Sequence, residues 1–132
     1  MSLPQPLKQA VRARAANRCE YCRMRQEWES FYSYHVEHVI AQQHRGSNDA
    51  ENLALACRHC NLLKGPNLTS LDPDGDNVVR LFHPRIQLWP EHFSMEHGYI
   101  VGLTDVGRTT AFLLEMNEPH RFELRLENLK DW

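Results

Sequence analysis

Residues 35–65 of this chain read HVEHVIAQQHRGSNDAENLALACRHCNLLKG, and their pattern is the most informative about the fold. Aromatic and β-branched residues at its start predict a strand over residues 32–40. The polar stretch that follows contains the turn residues Gly-Ser-Asn-Asp and predicts a loop. Leu53 and Leu55 then alternate with alanines, which predicts a second short strand. Residues 58–64, followed by a Gly-Pro pair, predict a short helix. The expected order is therefore strand, loop, strand and helix.

Two Cys-x-x-Cys pairs flank the predicted strands and lie 34 residues apart. The four cysteines are Cys19, Cys22, Cys57 and Cys60. Four thiolates can close a tetrahedral structural zinc site, whereas disulfides are unusual in a reducing compartment. A redox motif needs one such pair, so the duplication favours zinc over a redox pair or unrelated buried thiols. The interval exceeds that of a simple zinc ribbon, so a folded segment must occupy it.

Length and composition describe an ordinary globular chain. Its 132 residues fit a single domain, 1–132, which divides into parts 1–17, 18–66 and 67–132. A hydrophobic fraction of 42% excludes wholesale disorder. No apolar run approaches the roughly 18–20 residues of a membrane span, and the proline-containing N-terminus does not resemble a secretory signal. We therefore expect a soluble, cytoplasmic protein that makes no membrane contact.

Charge is distributed unevenly along the chain. The net charge is −2, yet residues 1–66 carry +3 and residues 67–132 carry −5. The total argues against tight nucleic-acid binding over the whole surface, whereas the distribution allows a modest footprint on one face. Five arginines near the first cysteine pair are candidates for a positive face, although surface arginines are usually just solvated. They are Arg12, Arg14, Arg18, Arg23 and Arg25.

The remaining elements are predicted from local patterns. Helices are expected at residues 7–16, from the capping residue Thr104 to residue 116, and after Pro119. Strands are expected at residues 78–82, 86–89 and 99–103. A turn is expected at residues 72–77. Phe122, Leu126 and Leu129 recur with helical spacing and predict the apolar stripe of the closing helix.

An ordered set of residues lies within this framework: Cys19-x-x-Cys22, Glu37-His38, Asn52-Leu53, Cys57-x-x-Cys60 and Asn61-x-x-Lys64-Gly65. This set resembles the HNH nuclease motif. The spacings are 14 residues from His38 to Asn52 and 9 from Asn52 to Asn61, as in that family. The resemblance implies an α+β fold whose ββα-metal core is stapled by the four-cysteine zinc site. The N-terminal helix precedes this core, and a strand and helix extension follows it.

The resemblance also implies a metal-dependent endonuclease that hydrolyses DNA to 5′-phosphate and 3′-hydroxyl ends. It assigns His38 as the general base, and Glu37 and Asn61 as ligands of one Mg²⁺ or Mn²⁺. Asn52 is expected to hold His38 in position by bonding across the loop. The family more often has Asp where this chain has Glu37, whose side chain is one methylene longer. Lys64 and Arg45 are candidate phosphate contacts, because binding nucleic acid requires cations.

A zinc-ribbon module that binds nucleic acid or protein without cleaving it is the alternative. The four cysteines serve either hypothesis equally well. Such a module has no reason to carry Glu37, His38 and Asn61 at these spacings, so the enzyme is favoured. The sequence predicts no added helix-turn-helix or zinc-finger array, so we expect target preference to come from loops or from a partner protein.

Overall fold

A computed structural model describes residues 3–132 as an α+β fold, as the sequence predicts. The helices are α1 (Gln5–Arg14), α2 (Arg58–Lys64), α3 (Trp89–His92), α4 (Asp105–Leu113) and α5 (Pro119–Glu127). The strands are β1 (His35–His38), β2 (Leu53–Ala56), β3 (Thr69–Leu71), β4 (Val78–Arg80), β5 (Phe93–Glu96) and β6 (Tyr99–Gly102). Within these residues, the strands form three two-stranded antiparallel sheets, β1–β2, β3–β4 and β5–β6.

The predicted strand–loop–strand–helix order is confirmed in β1, β2 and α2. Strand β1 is shorter than expected and pairs with β2 so that Glu37 lies opposite Ala54 and His38 opposite Leu53. All four residues of β2 are buried, which explains its apolar composition. Helix α2 begins directly after β2 at Cys57, whose Sγ accepts a hydrogen bond from the backbone N–H of Cys60.

The extension after residue 67 is built from two hairpins and three helices. The predicted turn at 72–77 joins β3 to β4, and a two-residue turn joins β5 to β6. Helix α4 packs on β6 and also contacts β3 and β4. It begins as predicted at Thr104, whose Oγ1 accepts from the N–H of Gly107, and it ends three residues early. The strand predicted over 86–89 is wrong, because the chain turns there and enters α3 at Trp89.

The closing helix α5 is confirmed, but it buries a different face from the apolar stripe. Arg121 and Arg125 are its buried residues, while Leu126 is 45% exposed. The guanidinium of Arg125 donates to the backbone carbonyls of Gly98 (2.7 Å) and Met116 (2.6 Å). Such acceptors stabilise a buried arginine, although Nη1 of Arg125 has no partner among residues 3–132. Periodicity of apolar residues therefore identified the helix but not its packing.

The hydrophobic core joins the three parts of the chain that the sequence distinguishes. Helix α1 begins two residues before the predicted start, since proline is tolerated in a first turn. The core cluster contains Val11 from the N-terminal helix, Leu53 and Leu55 from β2, and Phe93 and Ile100 from the extension. The four cysteines belong to the same cluster. Among residues 3–132, no helix is long and apolar enough to cross a membrane.

Candidate active site

The four cysteines converge on one point in the core. Their Sγ atoms all lie within 4.8 Å of one another, and each side chain is buried. A tetrahedral zinc with Zn–S bonds of about 2.3 Å requires sulfur atoms about 3.8 Å apart. The Sγ atoms of Cys22 and Cys57 are 3.8 Å apart. The cluster therefore suits a closed structural metal site such as zinc.

Backbone hydrogen bonds fix both cysteine pairs. The N–H of Cys22 donates to Sγ of Cys19, and the N–H of Cys60 donates to Sγ of Cys57. The backbone N–H of Glu20, which lies inside the first pair, donates to the carbonyl of Leu55 on β2, and the N–H of Leu55 donates to the carboxylate of Glu20. The first pair is thereby locked to the strand that leads into the second pair.

Arg121 of α5 contacts the sulfur cluster from the tail of the chain. Its Nη2 donates to Sγ of Cys57 (3.2 Å) and of Cys22 (3.5 Å), and its Nη1 pairs with Glu29. Burial lowers the pKa of Arg121, but the two sulfurs and Glu29 raise it by more, so the guanidinium stays charged. A positive donor next to metal thiolates offsets their negative charge. No sequence pattern pointed to this residue.

Glu37 is a buried carboxylate at the floor of a cleft. It is 8% exposed, and its Oε1 has no hydrogen-bond partner among residues 3–132. Burial raises the pKa of Glu37, while Lys64, Tyr21 and His38 partly oppose that shift. The buried Tyr21 hydroxyl also lacks a partner, and burial and the nearby Glu37 raise its pKa. An orphaned buried carboxylate costs stability unless a cation or proton joins it.

His38 ends strand β1 and is oriented by a loop residue. Its Nε2 lies 2.7 Å from Oδ1 of Asn48. The side-chain amide of Gln42 also donates to that oxygen at 3.2 Å. Since a carboxamide oxygen accepts, Nε2 of His38 is assigned as the donor in this hydrogen bond, and Nδ1 takes no part in it. Asn48 was predicted only as a turn residue, and no local pattern pointed to this contact.

One open cleft brings the predicted triad together. Glu37, His38 and Asn61 line a depression of about 400 Å³ between β1 and α2. Strand β1 supplies the first two residues, and the first turn of α2 supplies Asn61. The cleft therefore brings together a carboxylate, an imidazole and a carboxamide. The oxygen atoms of the carboxylate and the carboxamide suit a hard divalent cation.

Comparison with known proteins agrees with this geometry. Residues 19–67 match the HNH endonuclease family. The HNH segment, as we call residues 19–67, contains both cysteine pairs, strands β1 and β2, helix α2 and the cleft residues. At the level of the family, the match supports a nuclease that hydrolyses nucleic acid with a divalent cation. Neither a curated protein nor a solved structure matches the chain.

Asn52 of the HNH segment holds the loop between the two strands. Its Oδ1 accepts from the N–H of Ile40, and its Nδ2 donates to the carbonyls of Ile40 and Ser47. Asn52 thus contacts the loop rather than His38 itself, and the loop carries Asn48 to the imidazole. Gly46 is required in this loop, because an added Cβ would lie 1.6 Å from the carbonyl oxygen of Ile40.

The two predicted phosphate contacts have different surroundings. Lys64 is 2% exposed, and its Nζ donates to the carbonyl of Val39 at 2.8 Å. Burial lowers the pKa of Lys64, and Glu37 opposes that shift. Arg45 is exposed at the C-terminal end of a short 3₁₀ turn, with a left-handed φ of 67°. Arg45 is therefore available to a ligand, whereas Lys64 is buried and bonded to the backbone of Val39.

The arginines near the first cysteine pair mainly support the fold. Their contacts are Arg12 with the carbonyl of Tyr34, Arg14 with that of Leu53, and Arg18, Arg23 and Arg25 with the rings of Trp132, Trp89 and Trp28. Such contacts hold the guanidinium groups against backbone and aromatic surfaces. They do not form the free positive face that the sequence suggested.

Proposed function

We propose that this protein is a metal-dependent endonuclease that hydrolyses DNA phosphodiester bonds to 5′-phosphate and 3′-hydroxyl ends. The observation that carries the proposal is the common cleft of Glu37, His38 and Asn61 within the HNH segment. Phosphodiester hydrolysis needs an activated water, stabilisation of the phosphate charge and help for the departing oxygen. These three residues supply side chains suited to the first two needs.

His38 acts as the general base in this proposal. Imidazole is ordinarily neutral near pH 7 and can take a proton from water. The bond between Nε2 and Asn48 supports a role for Nδ1 as the proton acceptor. Asn52 acts as a positioning residue, because it fixes the loop that presents Asn48.

Glu37 and Asn61 are the proposed ligands of one divalent cation, Mg²⁺ or Mn²⁺. Carboxylate and carboxamide oxygens are the donors that such hard cations prefer. The unpartnered Oε1 of Glu37 supports this assignment, because a buried carboxylate oxygen that accepts no hydrogen bond is costly. When bound, the cation would stabilise negative charge on the phosphate and on the departing oxygen. The charge of Lys64, which opposes the rise in the pKa of Glu37, would also favour the ionised carboxylate.

The remaining assignments follow from burial. Zinc at Cys19, Cys22, Cys57 and Cys60 would be structural, because four thiolates leave no open position. Arg45 is the proposed phosphate contact of the HNH segment. The phosphate contact expected of Lys64 would require its side chain to leave the carbonyl of Val39, so we assign Lys64 to Glu37 instead. A partner protein for target choice stays a prediction from the sequence.

Cleavage of supercoiled plasmid DNA tests the proposal. The zinc-loaded protein is incubated with Mg²⁺ or Mn²⁺, and the nicked product is treated with DNA ligase. We expect divalent-cation-dependent nicks that ligase reseals, because ligase joins 3′-hydroxyl to 5′-phosphate ends. Absence of cleavage with every divalent cation tried would overturn the proposal and favour the non-catalytic zinc module. Nicks that ligase cannot seal would contradict the proposed products.

A further inference from the structure

A second pocket adjoins the proposed catalytic cleft and is lined by exposed aromatic residues. It encloses about 390 Å³ and lies over the start of α2. Phe31 is 93% exposed and Tyr32 is 55% exposed, although both are large rings. We call Phe31, Tyr32 and Arg58 the aromatic platform. Exposed rings of this size, gathered at one pocket, mark a binding surface.

Arg58 gives the platform a positive charge. Its guanidinium carbon lies 4.3 Å from the centroid of the Tyr32 ring, within the range of a cation–π contact. Among residues 3–132, it has no ion pair or hydrogen bond to another side chain. The side chains that line the pocket include no carboxylate. The pocket therefore combines stacking surfaces with an uncompensated cation.

The two pockets share a wall. His35 and Asn61 line both the aromatic pocket and the cleft that holds Glu37 and His38. His35 is exposed at the start of β1, two residues before Glu37 on the same strand. A ligand that spans this wall would place one group against the aromatic platform and a neighbouring group in the cleft.

We propose that the aromatic platform binds an unstacked nucleobase next to the phosphate that is cleaved, so that the preferred substrate is DNA with unpaired bases. The inference rests on the proposed function, because the cleft is taken to hold the scissile phosphate. Bases stack on aromatic rings and on guanidinium planes irrespective of sequence, but only where they are free of the duplex stack. The charge of Arg58 complements the anionic backbone that accompanies the base.

Binding of oligonucleotides without cleavage tests this inference separately from catalysis. The His38→Ala protein is mixed with a single-stranded DNA that contains 2-aminopurine and, separately, with the matched duplex. We expect the single strand to bind about tenfold more tightly, with quenched fluorescence as the base stacks. In the His38→Ala protein, adding Phe31→Ala or Arg58→Ala should lower the affinity for the single strand about tenfold, since each substitution removes one stacking partner.

Two further variants control for folding and for chemistry. Phe31→Trp keeps an aromatic face and should retain the affinity and the quenching. Phe112 lies on α4, outside this pocket, and its ring is 69% exposed. Phe112→Ala should change neither the affinity nor the quenching. Equal affinity for single strand and duplex, or platform variants that bind like the parent, would overturn the inference.

Cleavage by the wild-type protein distinguishes failure of the inference on the aromatic platform from failure of the proposed nuclease function. If the wild-type protein nicks plasmid while the platform variants bind and cut as it does, the nuclease stands and the inference falls. If the protein cuts nothing but binds single strands through the platform, the inference on the bound base stands while the nuclease proposal falls. A platform that contacts another protein instead would leave the DNA measurements unchanged on substitution, which also contradicts the inference.

Discussion

Nη2 of Arg121 lies 3.2 Å from Sγ of Cys57, a residue 64 positions earlier in the chain. The closing helix therefore reaches the metal-binding sulfurs as well as the apolar core. Four thiolates around one Zn²⁺ carry a net charge of −2, which is costly to bury without a counter-charge. Arg121 supplies that charge and ties the acidic tail to the HNH segment.

Replacing Arg121 should therefore weaken zinc retention. We expect Arg121→Ala to lower zinc affinity by about 10- to 100-fold, because a hydrogen-bond donor to the ligands is lost. Competition with a chromophoric zinc chelator measures this change. Arg80→Ala, on the exposed face of β4, is the matched control and should behave like the wild type. Zinc affinity in Arg121→Ala equal to that of the control would contradict the role of Arg121.

Gly46 and Gly75 provide a matched pair for the active-site loop. A Cβ at position 46 would collide with the carbonyl of Ile40 and approach Nδ2 of Asn52, whereas position 75 has open space. Gly46→Ala should lower the free energy of unfolding by about 1–3 kcal/mol, a range typical of overpacking. Urea unfolding of both variants measures this difference, and Gly75→Ala should stay close to wild type. Equal stability of the two variants would contradict the tight packing of the loop.

Asp72 should make stability depend on pH in the acid range. Hydrogen bonds from Arg108, and next from the N–H of Asp74, lower the pKa of Asp72. A lowered folded-state pKa stabilises the protein above the unfolded value, and this contribution is lost as pH falls through the folded value. Asp72→Asn should therefore be less stable than wild type at pH 7. The difference in urea midpoint should stay constant down to about pH 5 and shrink below about pH 4.

The comparison between wild type and Asp72→Asn also controls for metal loss in acid. Both proteins carry the same four cysteines, so protonation of the thiolates lowers the stability of both. A stability difference that disappears above pH 5, or is absent at pH 7, would argue against the Asp72–Arg108 pair.

Asn48 should affect catalysis without affecting the fold. Its side chain is exposed and contacts the imidazole of His38. Asn48→Ala should lower the single-turnover rate of nicking by about tenfold, a part of the 10²–10⁴-fold that general base catalysis contributes. The melting temperature should stay within a few degrees of wild type. An unchanged nicking rate would mean that Asn48 does not orient the base.

Local patterns predicted the part of the molecule in which neighbours along the chain also pair in space. The β1–β2–α2 unit could be predicted because the buried strand β2 is composed of apolar residues and because a Gly-Pro pair follows the end of α2. The strand predicted over 99–103 is β6, but its hairpin partner β5 was missed although a signal existed. His97 and Gly98 both have positive φ, as a two-residue hairpin turn of type I′ requires, and glycine is common there.

Other features had no local signal because distant residues create them. Trp89 begins α3 rather than continuing a strand, and its Nε1 donates to the carbonyl of Tyr21. Arg121 and Arg125 are buried because sulfur atoms and carbonyl groups elsewhere accept their hydrogen bonds. A sequence pattern treats an arginine on a helix as solvent-exposed. The spacing of Glu37, His38 and Asn61 was informative, whereas the role of Lys64 depended on how deeply the fold buries it.

The nicking rate of His38→Ala decides whether His38 is the general base of a metal-dependent nuclease. Single-turnover nicking of supercoiled plasmid in Mg²⁺ or Mn²⁺ would be compared for wild type, His38→Ala and His120→Ala, an exposed histidine at the start of α5. Zinc content and melting temperature would be measured on the same samples. Loss of a general base predicts a rate about 10²–10⁴-fold lower in His38→Ala alone, with zinc and stability retained. Nicking by His38→Ala at the wild-type rate would contradict the mechanism.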